Sequence, residues 1–313
     1  MSREKNKLSV RQLIEEKETR KKWLYRKEKM LPIFLLVMAT TSFITTVTIV
    51  VILLSESFHF FREVSFIEFF TGTVLKPMSQ NPQFGIVPLL VGTLTATGIA
   101  LAVAVPIGLL TAIYLSEYAS NQVRNVLKPT VEVLAGIPTI VYGFFAFTFV
   151  TPLLQHIFPE LESTNILSPG LVMGVMIIPM VASLSEDAMR AVPQGLREAA
   201  LGLGSSKLEV TLKVVLPAAL SGIVASIVLA LSRAIGETMI VTIASGSSKQ
   251  LNFDLMSSMQ TMTAYIVEVT GGDAPAGSTL YYSLYAVALT LFVFTLLMNM
   301  CANYIANKLH EKY

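Results

Sequence analysis

The sequence predicts an all-α, polytopic membrane protein with six transmembrane helices. Three observations carry that prediction. Only 14% of the 313 residues are charged and 53% are hydrophobic, whereas soluble domains average about a quarter charged. Apolar runs long enough to cross a bilayer, which takes about 20 residues, recur six times. Lysine and arginine gather between alternate runs, the asymmetry that retained cytoplasmic loops leave.

Residues 1–30 form a basic N-terminal extension with eleven Lys and Arg, from Arg3 to Lys29. Glu4, Glu15, Glu16, Glu18 and Glu28 alternate with Val10, Leu13, Trp23 and Leu24, as suits an amphipathic helix on membrane lipid at the inner surface. The extension reads as a topology anchor rather than a nucleic-acid surface. It is too long, and lacks the small-residue cleavage site, to be a signal peptide.

The first span, Leu31 to Leu54, and an outer segment rich in aromatics complete a region over 31–84. Interfacial aromatics favour the headgroup zone. The remaining spans, over 85–307, are a run ending at Ser116, then Val133 to Pro159, Ser163 to Ser185, a segment from near Leu216 through Arg233, and Ala274 to Asn307. Gly92, Gly98 and Gly108 in the second would let neighbouring helices approach closely. A tail over 308–313 closes the chain. With the N-terminus inside, nineteen Lys and Arg lie on the cytoplasmic side, three outside, and Arg233 remains. Both termini are therefore expected in the cytoplasm.

In the third span, LAGIPTIVYGFFAF carries Pro138, which lacks an amide hydrogen, so the helix should bend or unwind near Gly136 and Pro138. Irregular backbone at membrane depth is tolerated when buried or lining a wet cavity. Thr139 and Tyr142 either face such a path or pack at a simple kink.

The stretch SRAIGETM places Arg233 and Glu237 inside an apolar run that reads as one helix. Each charge costs about 2.5–3.5 kcal/mol at a helix centre, so a purpose should offset it. Beginning at Leu216, the helix would put Arg233 about 25 Å along, somewhat past the midplane. Four residues apart, the two charges share a face with Ala230, Ser226, Gly222, Ile240 and Ala244. They form either an ion pair between helices or a substrate contact. Guanidinium is the side chain best shaped to grip an oxyanion. A carboxylate beside it can accept a hydrogen bond from a protonated oxyanion, which phosphate has near neutral pH and sulfate lacks.

Three histidines far apart, and one cysteine, make a metal site improbable. The phosphate-cradling G-x-x-x-x-G-K-[ST] loop is missing, and GLGSSK at 202–207 has the wrong glycine spacing. The chain is thus expected not to be an enzyme and to hold no cofactor.

Residues 186–217 form the main inner loop, read as a helix over Arg197–Leu203, a break over Gly202–Ser206, and a second helix from Lys207 to Val215. EAALGLGSSKLEVTLKVVLP resembles the EAA loop of ABC importer permeases: Glu198, Ala199 and Ala200, then Gly204, then Val214 where the pattern has Ile, then Leu216 and Pro217. The resemblance implies a coupling helix docked on a separate ATPase, with small Ala199, Ala200 and Gly204 allowing close approach and Arg197 and Glu198 making polar contacts at the rim. Together with LSRAIGETMIVTIASG and AGIPTIVYGFFAF, the loop is similar to PstC-type permeases of phosphate importers. The likeness spans roughly residues 85–307.

That resemblance implies a type I ABC importer permease fold and an inorganic phosphate path. Arg233 and Glu237 would contact the anion, with Thr238, Thr139 and Tyr142 along its route. It implies a bacterial or archaeal inner-membrane location and several partners. These are a second, PstA-like permease subunit, a PstB-like ATPase dimer binding ATP and Mg, and an external PstS-like phosphate-binding protein. A sulfate or molybdate permease shares the Arg-Ala-x-Gly-Glu core. A channel or membrane scaffold would make the loop coincidental.

Overall fold

The computed structural model describes residues 10–272 and 274–308. Residues 1–9 of the basic extension and 309–313 of the tail lie outside them. The chain divides into two compact units, residues 1–55 and 56–313.

Helix α1, Val10–Glu63, is unbroken through the extension and the first span. The expected boundary at residue 30 is therefore not a break in structure. No glycine precedes Gly72, and the Glu, Lys, Arg and Leu residues of this stretch favour helix. Pro32 is the one interior proline.

The second unit begins with the last turns of α1, followed by α2 (Phe66–Thr71) and a two-stranded ribbon. Its strands β1 (Leu75–Lys76) and β2 (Gln83–Phe84) pair antiparallel, Leu75 opposite Phe84. The aromatics expected at the lipid interface are in part a small core. Phe60 and Phe69 are fully buried, and Phe60 packs edge-on against Phe69 and Phe84 at 5.3 and 5.4 Å.

At the centre of the unit, α3 (Val87–Ile113, extended by a π-turn to Tyr118) lies along α7 (Leu167–Arg190). A Cβ added at Gly108 would fall 2.8 Å from Val181, and one at Gly174 2.9 Å from the Ala100 carbonyl. Small residues bring these backbones together, as anticipated for Gly108; Gly92 instead admits the Gln260 carbonyl, 2.3 Å from where its Cβ would lie, and Gly98 faces open space.

Between them, α4 (Asn121–Ala135) and α5 (Thr139–Phe145) meet at an 82° bend at Gly136–Pro138. A π-turn and α6 (Thr151–Gln155) complete the limb. The third span is thus a bent pair rather than one run from Val133. After α7 come α8 (Gln194–Gly202) and α9 (Lys207–Val210), the latter continuing through a π-turn into α10 (Leu216–Ile235). Next are α11 (Met239–Ala244), α12 (Met262–Gly271) and α13 (Thr279–Lys308). Among the described residues five helices are long and apolar enough to cross a membrane, and the bent pair, taken as one span, makes six. The all-α, multi-span class therefore holds.

Candidate translocation site and coupling surface

The apolar run expected to be one helix through SRAIGETM is broken at its charges. Helix α10 stops at Ile235, Gly236 caps it, and α11 starts at Met239. Arg233 lies in the last turn of α10, where a cation complements the carbonyl end of the helix. Glu237 stands in the break, 7% exposed. Its Oε1 accepts from the amides of Met239 (3.2 Å) and Ile240 (3.5 Å). The carboxylate therefore caps α11 instead of extending along the face of Arg233.

The ion-pair reading is corrected by this break. Among the described residues no carboxylate lies within 4 Å of Arg233. Its guanidinium is exposed, with Nη2 donating to Met176 Sδ at 3.5 Å, a weak acceptor. The depth estimate also changes. The continuous helix starts at Lys207 rather than Leu216, so Arg233 sits roughly 39 Å along it at 1.5 Å per residue, close to the end opposite the coupling loop.

The small stripe below Arg233 is a packing face. Ala230 and Ser226 are buried, Ser226 Oγ meets Ser185 Oγ at 2.8 Å, and a Cβ at Gly222 would lie 2.4 Å from Ala188 Cβ. Across the break, the Thr263 hydroxyl donates to the Glu237 carbonyl at 2.8 Å. Thr238 is half-buried and its hydroxyl donates to the Gly236 carbonyl at 3.1 Å.

Thr139 is half-buried in the first turn of α5. Tyr142 is buried, and its hydroxyl donates to the Leu134 carbonyl at 2.7 Å, closing the bend from the α5 side. One residue on, a Cβ at Gly143 would lie 3.1 Å from the Met239 carbonyl, so α5 presses against the start of α11. The bend thereby supports the break that holds Glu237.

At the other end of α10, the coupling loop has a defined shape. Helix α8 ends with the amides of Gly204 and Ser205 bonding the carbonyls of Leu201 and Ala200, a Schellman closure with its left-handed residue at Gly204, φ +89°. No atom lies within 4 Å of a Cβ placed there. Within this chain, backbone angle alone asks for glycine. Ser206 and Glu209 then form a reciprocal capping box that starts α9. Leu216 and Pro217 lie inside the helix that continues from Lys207, and Pro217, which has no amide hydrogen to donate, follows directly on the π-turn Thr211–Val215.

Glu198 and Ala199 are exposed on α8, Ala200 is half-buried, and Leu203 is 89% exposed. Arg197 departs from the expected rim position. It points inward, donating to the carbonyls of Val192 (2.6 Å) and Met189 (2.7 Å) and pairing with Glu117 at 3.2 Å. It fastens α8 to the ends of α7 and α3.

Sequence reasoning missed one further cluster. Glu186, fully buried at the end of α7, meets Arg124 at 2.7 Å and Lys128 at 2.6 Å, both on α4, and Arg190 at 3.7 Å. Lys128 also reaches Asp187 at 2.7 Å. The signal was present, since Arg124 and Lys128, and likewise Glu186 and Arg190, are four apart and share a helix face.

Comparison with known proteins places this geometry. Residues 104–311 match the family model described as binding-protein-dependent transport system inner membrane component. The phosphate transport system permease protein PstC of Mesorhizobium japonicum is 32% identical over 264 residues, covering 78% of this chain and 79% of that protein. PstC 1 of Mycobacterium tuberculosis is 35% identical over 240 residues, covering 70% and 71%. Among solved structures, a bacterial ABC transporter involved in import of the acidic polysaccharide alginate aligns over 94% of this chain and 99% of that one, at TM-score 0.61 and 16% identity. A chain of the MetNI methionine ABC transporter, in an inward-facing conformation, aligns over 72% and 95% at TM-score 0.53 and 17% identity.

Proposed function

The chain belongs to the family of binding-protein-dependent transport system inner membrane components, and from that premise we propose that it is the PstC-type permease subunit of an ATP-driven inorganic phosphate importer. One observation carries the assignment of the site. The Arg233 side chain stands exposed at a helix break, with no carboxylate within 4 Å among the described residues, in a chain whose relatives are named phosphate permeases.

Arg233 offers a permanent charge and a planar fork of donors to a phosphate oxyanion. Glu237 keeps Oε1 on the amides of α11. Its Oε2, to which no protein donor reaches among the described residues, accepts a hydrogen bond from a hydroxyl of the phosphate monoanion or dianion. Sulfate has no such proton, so it meets the carboxylate with a repulsion that no hydrogen bond offsets. Thr238 and Thr139 border the route, and Tyr142 positions it by holding the bend.

The termini and the coupling loop lie in the cytoplasm. A PstA-like second permease subunit completes the path, a PstS-like binding protein delivers phosphate from outside, and a PstB-like ATPase dimer with ATP and Mg docks on Glu198, Ala199, Ala200 and Leu203. This chain supplies the path and no ATPase site. Movement of α8 passes to α7 through Arg197, and to α10 through the continuous helix from Lys207.

The test is uptake of labelled phosphate by the reconstituted four-component complex. The account expects uptake that requires ATP and the binding protein and survives a tenfold excess of sulfate. Suppression by sulfate equal to that by unlabelled phosphate points to a sulfate or molybdate permease. Flux without ATP points to a channel.

A further inference from the structure

Beside the coupling helix is a cavity of about 440 Å³ lined by Ser116, Glu117, Arg190, Gln194, Arg197, Leu201, Lys207 and Val210. Its charge is unbalanced. Of the three cations, Arg197 is spent on Glu117 and two backbone carbonyls. Glu186 is already satisfied by Arg124 and Lys128, and stands 3.7 Å from Arg190, whose side chain is 43% exposed. Lys207 has no carboxylate within 4 Å among the described residues; its Nζ lies 5.0 Å above the centre of the Tyr118 ring.

Lys207 therefore faces this space with no carboxylate within 4 Å among the described residues, and Arg190 with a long contact to a carboxylate that two nearer cations already satisfy. The Ser116 and Gln194 side chains also line it, and Leu201 gives it one apolar wall. The volume admits a phosphate group, whether free or borne on a larger head. Basic pockets at the inner ends of membrane helices take anionic lipid headgroups, and the inner ends are where this cavity lies on the orientation proposed above.

We propose that the cavity is a regulatory anion site, distinct from the Arg233 site, that binds a phosphate group through Arg190 and Lys207. Two sources share that chemistry: the headgroup of an anionic inner-leaflet phospholipid, and inorganic phosphate accumulated inside. An occupant would join α8 to α9 and to the ends of α3 and α7, so it would stiffen or arrest the coupling loop. The proposal rests on the permease reading for its sidedness. It does not rest on phosphate being the cargo.

The test uses the complete complex with Cys301→Ser and a reporter, Gln194→Cys, measured by the rate of maleimide labelling in nanodiscs. One arm compares phosphatidylcholine alone with phosphatidylcholine containing phosphatidylglycerol; the other adds inorganic phosphate to phosphatidylcholine discs. Labelling should slow at least fivefold in one arm, identifying the source, and recover when Lys207→Gln or Arg190→Gln is added. High salt should weaken the protection. Equal labelling in both arms overturns the proposal, as does protection in plain phosphatidylcholine, which would mean that the ATPase covers the cavity. If the Arg190→Gln variant does not assemble, Lys207→Gln alone decides, since that side chain makes no ion pair among the described residues. Phosphate uptake by the same complex in vesicles is scored separately, so an empty cavity with intact uptake rejects the site and leaves the transport reading standing.

Discussion

Replacing Glu186 with glutamine tests whether α4 is held by the buried cluster. The wild-type carboxylate is fully buried and accepts from Arg124 Nε at 2.7 Å and Lys128 Nζ at 2.6 Å. Glutamine keeps one acceptor oxygen, so one hydrogen bond survives without the carboxylate's charge and the other is lost, its cation facing an amide NH2. Such bonds contribute about 1.5–3 kcal/mol each. Removing one partner of a buried pair costs about 3–5 kcal/mol, but the two cations are about 20% exposed and recover some hydration. A net loss of about 3 kcal/mol follows, roughly a 150-fold change in a local opening equilibrium. Amide hydrogen exchange across residues 121–135 of the purified complex should accelerate by about that factor. Asp187→Asn is the control. With its side chain 59% exposed and one contact to Lys128, it should change exchange by less than about fivefold, as an exposed pair does. Exchange in α4 that moves less than threefold in Glu186→Gln, or equally in both variants, would refute the reasoning.

Gly204→Ala adds a side chain into open space but at φ +89°, so it should destabilise the turn by about 1–2 kcal/mol; limited proteolysis within 202–207 should speed several-fold, and an unchanged rate would contradict the Schellman assignment. Tyr142→Phe removes only the hydroxyl bond to Leu134, worth about 1 kcal/mol, and should lower the thermal midpoint by a few degrees with uptake reduced rather than abolished. Complete loss of uptake in that variant would place the hydroxyl in the path itself.

Much of the fold was legible because its signals are local. Apolar run lengths gave the number of spans, Pro138 gave the bend, and the glycine spacing of the coupling loop gave the turn that Gly204 makes. What escaped depends on partners distant in sequence or on small departures from helical geometry. The break after Ile235 is one case: SRAIGETM has no proline, Gly236 alone is a weak stop, and the decisive element is the Glu237 carboxylate folding forward onto two amides. Arg197 is another, since an arginine in an exposed loop motif reads as a surface contact until Glu117, eighty positions away in the chain, is seen beside it. The Glu186 cluster needed α4 and α7 to be adjacent. Helix α12, Met262–Gly271, falls between the fifth and sixth expected spans and was not anticipated.

The central claim is that Arg233 carries the anion across the break. The most direct measurement is phosphate uptake by the assembled complex with Arg233→Gln, with assembly followed by co-purification and ATP hydrolysis followed in parallel. The account predicts uptake reduced at least 100-fold while the four components still co-purify and hydrolyse ATP. Uptake within twofold of wild type, or a complex that comes apart when this one guanidinium is removed, would contradict it.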